Sequence, residues 1–292
     1  MLERVTVTID EQLLSAVDEL VGNNGVKSRS HAMDGLLRSA LSQQRLRKAL
    51  ILAGGSETSL VAGKSIKPLA EVGGITVIER IILKLKRAGI GEVIISVGSL
   101  GEKLVAHLQD GSAYGVTIDY AWEDQPLGGA GALKNCQARL PEPFLLSYAD
   151  VIYEELDLAD LYRFHKSNNG VCTLALANSE EPSSFGVAKL SGSQIVEFEE
   201  KPSSAEGHLV NAGVAVCEPS IFAFIPKKLP ASFEHDLLPS IAGKGKLYGY
   251  VYSGEWFDVG TPKSLKMAER HFPERHSSGK HASNASALRK KD

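Results

Sequence analysis

Two consecutive glycines, Gly54 and Gly55, end the apolar run from Ala49 to Ala53. A backbone without side chains can approach a base or a phosphate closely, and it can equally make a tight turn. Asp150 follows the apolar run Phe144-Leu145-Leu146-Ser147-Tyr148-Ala149, and Asp258 sits in a loop bounded by Gly254 and Gly260. An aspartate at a strand end can cap a helix or ligate a hard cation such as Mg²⁺, which takes a few carboxylates together with phosphate oxygens. Lys67 and Lys201 have the charge to neutralise a phosphoanion, although any single lysine taken alone is by default a solvated surface residue.

The elements that must position these residues alternate from Lys48 onward. A strand over Lys48–Leu52 precedes the glycines, a helix is predicted from about Thr76 to Ala88, a strand over Glu92–Val97 follows, and a further helix lies near Glu102–Leu108. Alternation of this kind predicts an α/β fold, a Rossmann-like, mostly parallel sheet with helices on both faces. Ligands collect at the carboxyl ends of the strands in such sheets, where the Gly54-Gly55 loop lies.

Ordered motifs run through this segment: LAGG at Leu52–Gly55, KPL at Lys67–Leu69, EDQPLGGAGAL at Glu123–Leu133, SYAD ending at Asp150, FGV at Phe185–Val187, FEEKP at Phe198–Pro202, NAG at Asn211–Gly213 and WFDVGTP at Trp256–Pro262. In type, order and spacing they resemble the sugar-1-phosphate nucleotidyltransferases, a family that includes mannose-1-phosphate guanylyltransferases. The resemblance spans about Lys48 to His271. It implies attack of a sugar 1-phosphate oxygen on the α-phosphate of a nucleoside triphosphate, with departure of pyrophosphate. It assigns Lys67, Asp150 and Lys201 to catalysis, and Asp150 and Asp258 to Mg²⁺. Nucleotide contacts fall to Leu52, Ala53, Gly54, Gly55, Lys67, Gly128 and Gly131, and sugar contacts to Glu200, Lys201 and Asn211. The PLGGAGAL stretch is similar to the guanylyl and uridylyl branches and leaves the base open.

The family signature reads approximately LAGG-x-G-T-R-L, with P-K-P-L several residues later. This chain has Glu57 in place of the third glycine, Ser59 in place of the arginine and Ile66 in place of the first proline. A guanidinium grips phosphates bidentately, and loss of such a contact costs about 2.7–4 kcal/mol of barrier. A carboxylate at residue 57 would repel a triphosphate, while Lys64 could partly substitute for the arginine. Two readings follow: a transferase with an altered signature loop, or a domain that binds nucleotide or nucleotide-sugar without turnover and acts as a sensor within a transcriptional regulator.

The segment before the sheet, residues 1–46, is predicted as a module of its own. Arg4 to Ile9 alternate polar and apolar residues as a half-buried strand does, Asp10 can cap a helix through Val21, and a second helix begins after a serine. One strand and two short helices bury too little apolar surface to stand alone, which predicts a homodimer joined through that strand. These elements resemble the ribbon-helix-helix family. The resemblance implies a DNA operator as partner, with Arg4, Thr6 and Thr8 at base edges and the helix start at Ser28, Arg29 and Ser30 on a phosphate. The alternative is a module that only dimerises.

Charge divides the chain in the same places. The net −3 resolves into +1 over residues 1–48, −7 over residues 49–272 and +3 over residues 273–292. The last segment has almost nothing to bury, which predicts a disordered basic tail beyond a transferase-like domain at residues 47–272. No window approaches the roughly 18 apolar residues of a membrane span, and the first residues lack the layout of a secretory signal, so a cytoplasmic location is expected. Three widely spaced cysteines suggest neither a disulfide framework nor a zinc site.

Overall fold

The computed structural model describes residues 5–22, 25–43, 45–55, 61–62, 65–204 and 207–273. It divides into two units, Met1–Arg45 and Leu46–Asp292. Arg4, Glu57, Ser59, Lys64 and the tail from residue 274 lie outside the described residues.

In the first unit, α1 (Glu11–Asp18) starts at Asp10, whose carboxylate accepts from the amides of Gln12 and Leu13. The second helix, α2 (Arg29–Gln43), follows Ser28, whose hydroxyl accepts from the His31 amide. Residues 5–10 form no strand among the described residues. The expected strand needs a partner for its backbone, and none exists within one copy. Only Val17 and Ala32 are buried among the apolar residues described in this unit, while Val5 is 74% and Val7 is 67% exposed. The Arg29 guanidinium forks onto both carboxylate oxygens of Asp18 and ties α1 to α2.

In the second unit, β1 (Lys48–Ala53) leads into two short hairpins, β2 (Val61–Ala62) with β3 (Ser65–Ile66), and β4 (Glu71–Val72) with β5 (Ile75–Thr76). The helix α3 (Val77–Arg87) buries Val77, Ile78, Ile81, Ile82 and Leu85 on one stripe. A capping box between Thr76 and Glu79 fixes its start. There follow β6 (Glu92–Val97), α4 (Gly101–Leu108), β7 (Thr117–Trp122), α5 (Gly128–Asn135), β8 (Phe144–Tyr148), β9 (Val151–Ile152) and α6 (Leu158–Asn168). The remainder comprises β10 (Cys172–Asn178), β11 (Gly186–Ser191), β12 (Gln194–Glu200), β13 (Leu209–Cys217), α7 (Leu238–Ala242), β14 (Leu247–Val251), β15 (Phe257–Asp258) and α8 (Pro262–His271).

Among the described residues one sheet has nine strands in the order β10-β14-β12-β11-β13-β8-β1-β6-β7. The four strands β8-β1-β6-β7 are parallel, as the helix–strand alternation requires. The expectation of a mostly parallel sheet is corrected to a mixed one. Strand β13 runs antiparallel to β8, and β11 and β12 form a hairpin across Gly192 (φ +61°). No crossover helix separates β11, β12 and β13, so these strands pair antiparallel, while β10 and β14 at the far edge pair in parallel. Strand β10 also pairs with β13 and draws this half of the sheet round on itself.

Two apolar layers flank the sheet. One is built on Ile51, Ile78, Ile82 and Val214, the other on Leu50, Phe144, Leu174 and Phe233. Cys136, Cys172 and Cys217 are buried free thiols. Ile82 is fully buried beneath α3. Ile82→Ala is expected to lower unfolding free energy by about 2–5 kcal/mol in urea titration, the usual loss for a large core side chain.

Candidate active site

The carboxyl ends of β1 and β8 face one mouth. A cavity of about 210 Å³ there is lined by Leu52, Gly54, Lys67, Tyr148, Asp150 and Glu234, among others. A second cavity, of about 440 Å³, is lined by Gly55, Gly98, Trp122, Glu123, Asp124 and Gln125, among others. Gly54 is required by close approach, because a Cβ there would stand 2.1 Å from Oε1 of Glu123. Gly55 has φ +112°, which side chains rarely adopt. Ala53 is buried.

Asp150 lies between β8 and β9, and Asp258 lies on β15. The two come together because β15 pairs antiparallel with β9, with Asp258 opposite Val151, and because the Val259 amide donates to the Asp150 carbonyl. Lys67, in the short helical turn Lys67–Leu69, places its Nζ 3.5 Å from Oδ2 of Asp150. Burial, and then the charge of Asp150, push the Asp258 carboxyl up to about 6, against relief from the Gly260 amide, Lys67 and Lys201. Two carboxylates held together against their own repulsion form an oxygen donor set of the kind a hard divalent cation satisfies with phosphate oxygens and water. The residues present fit Mg²⁺. Among the described residues there is no larger cluster of His, Cys, Asp or Glu that could hold a metal.

The distant motifs converge by direct contact. Phe185 packs edge-on against Trp256, with ring centroids 5.0 Å apart, and the Trp256 indole N–H donates to the Ala212 carbonyl. The Lys201 amide donates to the Phe185 carbonyl. Gly186 is required because a Cβ there would meet the Phe198 ring and the Glu200 carboxylate. Glu200 is held above the usual carboxylate range by burial and by the charge of Glu234. Lys201 has φ +49°, is 65% exposed and lies 3.7 Å from Glu200. Asn211 is buried and accepts from the Gly213 amide. Its side chain also adjoins the Tyr148 hydroxyl.

Gly128 and Gly131, expected at base and ribose, are also places of close approach within the chain. A Cβ on Gly128 would stand 2.3 Å from the Ala231 carbonyl oxygen, and one on Gly131 would meet Leu127 and Leu229. Both glycines let α5 pack against the 229–231 segment, and the neighbouring Gly129 lines the mouth. Sequence reasoning also missed Glu123 and Glu234. Glu123 is buried, accepting from the Ser96 hydroxyl and the Leu127 amide. The signal for Glu123 was a motif quoted only for its glycines. Glu234 falls outside the motifs named above.

A nucleotidyl transferase family model matches residues 48–275. The chain belongs to the nucleotidyl transferase family. The mannose-1-phosphate guanyltransferase of Yarrowia lipolytica is 36% identical over 226 residues, which cover 75% of this chain and 62% of that protein. The mannose-1-phosphate guanylyltransferase of Mycobacterium tuberculosis is 31% identical over 222 residues, covering 74% of this chain and 62% of the relative. The chain thus spans about three-fifths of the length of these curated relatives. Among solved structures, a candidate glucose-1-phosphate thymidylyltransferase from Bacillus anthracis, in complex with a sucrose, superposes with a TM-score of 0.71 at 26% identity. That superposition covers 80% of this chain and 97% of the other. HddC from Yersinia pseudotuberculosis shares the fold, with a TM-score of 0.66 at 22% identity over 78% of this chain and all of that one.

The raised Asp258 carboxyl gives this nucleotidyl transferase a pH signature. Its folded value lies above the unfolded value near 3.8, so the charged form costs stability above pH 6, and that cost disappears as pH falls through 6 toward 4. Asp258→Asn is expected to stabilise the metal-free protein by about 1–3 kcal/mol at pH 8, with the gain vanishing near pH 4 in thermal scans. Mg²⁺ affinity, followed by calorimetry, is expected to weaken as pH falls through 6.

Proposed function

We propose that the chain transfers a nucleotidyl group from a nucleoside triphosphate to a hexose 1-phosphate, with GTP and mannose 1-phosphate as the favoured pair. The observation that carries this reading is the Asp150–Asp258 carboxylate pair beside Lys67 at the mouth opened by Gly54 and Gly55. In the reaction an oxygen of the sugar 1-phosphate forms a bond to the α-phosphorus. The bond to the bridging oxygen breaks, and pyrophosphate leaves with the electron pair. Catalysis of this kind is mainly positioning and charge neutralisation.

Lys67 would meet the triphosphate, and Lys201, whose ammonium is largely exposed, would meet the sugar phosphate. Asp150 and Asp258 would hold Mg²⁺, which when bound offsets charge on the phosphate oxygens. Guanine is supported by the guanylyltransferase relatives and by the second cavity, whose lining includes Glu102, Glu123 and Asp124. Guanine's N1–H and amino group offer adjacent donors to such acceptors, whereas uracil and thymine offer one donor between two carbonyls.

Pyrophosphate release with Mg²⁺, each nucleoside triphosphate and a panel of sugar 1-phosphates tests this reading. Turnover is expected with GTP, and Asp150→Asn is expected to reduce it by about 10²–10³-fold, the typical loss of an electrostatic contact in the transition state. Turnover only after Ser59→Arg would favour the nucleotide-sugar sensor, and none in either form would exclude the transfer reaction.

For the first unit, we infer a homodimer through residues 5–9. The exposure of Val5, Val7, Leu13 and Leu37 supports it, because these four large apolar side chains are left in water by a single copy. In that dimer Thr6 and Thr8 would lie on the ribbon face that the ribbon-helix-helix resemblance assigns to DNA. Sedimentation is expected to give a dimer for the full chain and a monomer for V5K/V7K, with the melting of the α/β unit unchanged. A monomeric wild type would overturn the assignment.

A further inference from the structure

Strand β6 is apolar from Val93 to Val97 except at Ser96, which is fully buried. A hydroxyl shut away from water costs stability unless it is hydrogen-bonded. Ser96 donates to Oε1 of Glu123 at 2.7 Å. In the parallel ladders it stands between Leu52 of β1 and Ala121 of β7, just short of the carboxyl ends where Gly54, Gly98 and Glu123 emerge.

Three strand ends are tied together at Glu123. Its Oε1 lies so near Gly54 that a Cβ there would stand 2.1 Å away, its Oε2 accepts from the Leu127 amide at 3.1 Å, and its own amide donates to the Val97 carbonyl. The side chain lines the second cavity together with Gly55, Gly98 and Trp122. With Ser96 on one oxygen and Leu127 on the other, the plane of the carboxylate is fixed. A carboxylate has about four acceptor positions, so each oxygen keeps one free. Two coplanar acceptors at that spacing match the N1–H and 2-amino donors of guanine as a bidentate pair. Held by Leu127 alone, the group is free to turn about its terminal torsion, which has no sharp preference of its own. The plane and the seat of the Gly54 turn are then both lost.

We propose that Ser96 is a positioning residue for the nucleobase: acting through Glu123, it fixes the plane of two acceptors beneath the glycine turn and sharpens selection of a base with adjacent donors. This rests on the transferase reading with GTP above. It goes further in giving a role to a buried hydroxyl that belongs to none of the motifs and acts only through its neighbour.

The test compares GTP with inosine triphosphate, which keeps N1–H and lacks the 2-amino group, on the full chain with Mg²⁺ and mannose 1-phosphate. The wild type is expected to favour GTP by about 10-fold in KM and in calorimetric Kd, the worth of one charge-assisted hydrogen bond. S96A is expected to raise KM and Kd for GTP by about 10-fold and to narrow that preference to about twofold, while kcat and KM for mannose 1-phosphate stay within about twofold. S96C keeps the volume with a weaker donor, is expected to fall between the two, and serves in place of S96A if that variant does not fold. E123Q should show the same narrowed preference, and adding S96A to it should change nothing further. A purely structural role would move both KM values and leave the ratio of the two nucleotides as it was. That result, a GTP affinity unchanged by S96A, or a wild type indifferent to the 2-amino group would overturn the assignment while leaving the transferase reading intact. A wild type that neither turns over nor binds GTP would overturn both.

Discussion

The candidate site depends on two carboxylates that repel one another and are nevertheless held side by side. Left free in water, Asp150 and Asp258 would separate. Here the β9–β15 ladder and the bond from the Val259 amide to the Asp150 carbonyl fix their backbones, and burial, with the charge of Asp150 added, raises the Asp258 carboxyl. A site that costs stability when empty gains most when a cation arrives, which is the general relation between strain and binding at functional positions. Lys67, 3.5 Å from Asp150, moderates the cost from the other side.

The remaining motifs act on this arrangement through packing. Phe185, Trp256 and Ala212 join three separated motifs in one contact chain, and the glycines at 54, 186 and 213 are places where a side chain would collide with Glu123, Glu200 or Tyr148. Much of the motif pattern is thus steric. It records where side chains must be absent so that charged ones can converge.

The parallel half of the sheet and its helices were legible because Val77 to Leu85 and Glu92 to Val97 carry clean helical and strand periods. The closeness of Lys67 to Asp150 was legible only through motif order, since 83 residues separate them. The antiparallel half was not, since a strand such as Val210 to Cys217 is apolar on both faces and its direction is decided by which neighbour it meets. The packing role of Gly128 and Gly131 was not legible, because a glycine that admits a ligand and one that admits a backbone look alike in a sequence. Glu234 had no sequence signal, because its partner, Tyr148, is remote along the chain.

The pairing of β15 with β9 also has a bearing on biosynthesis. Asp150 emerges early, but its companion is supplied by a strand near the end of the α/β unit. A chain still on the ribosome, or one cut short before residue 257, can fold its parallel strands and yet hold only one of the two acids. Were the pair to hold Mg²⁺ as proposed, competence for the metal would have to wait until residue 258 is in place.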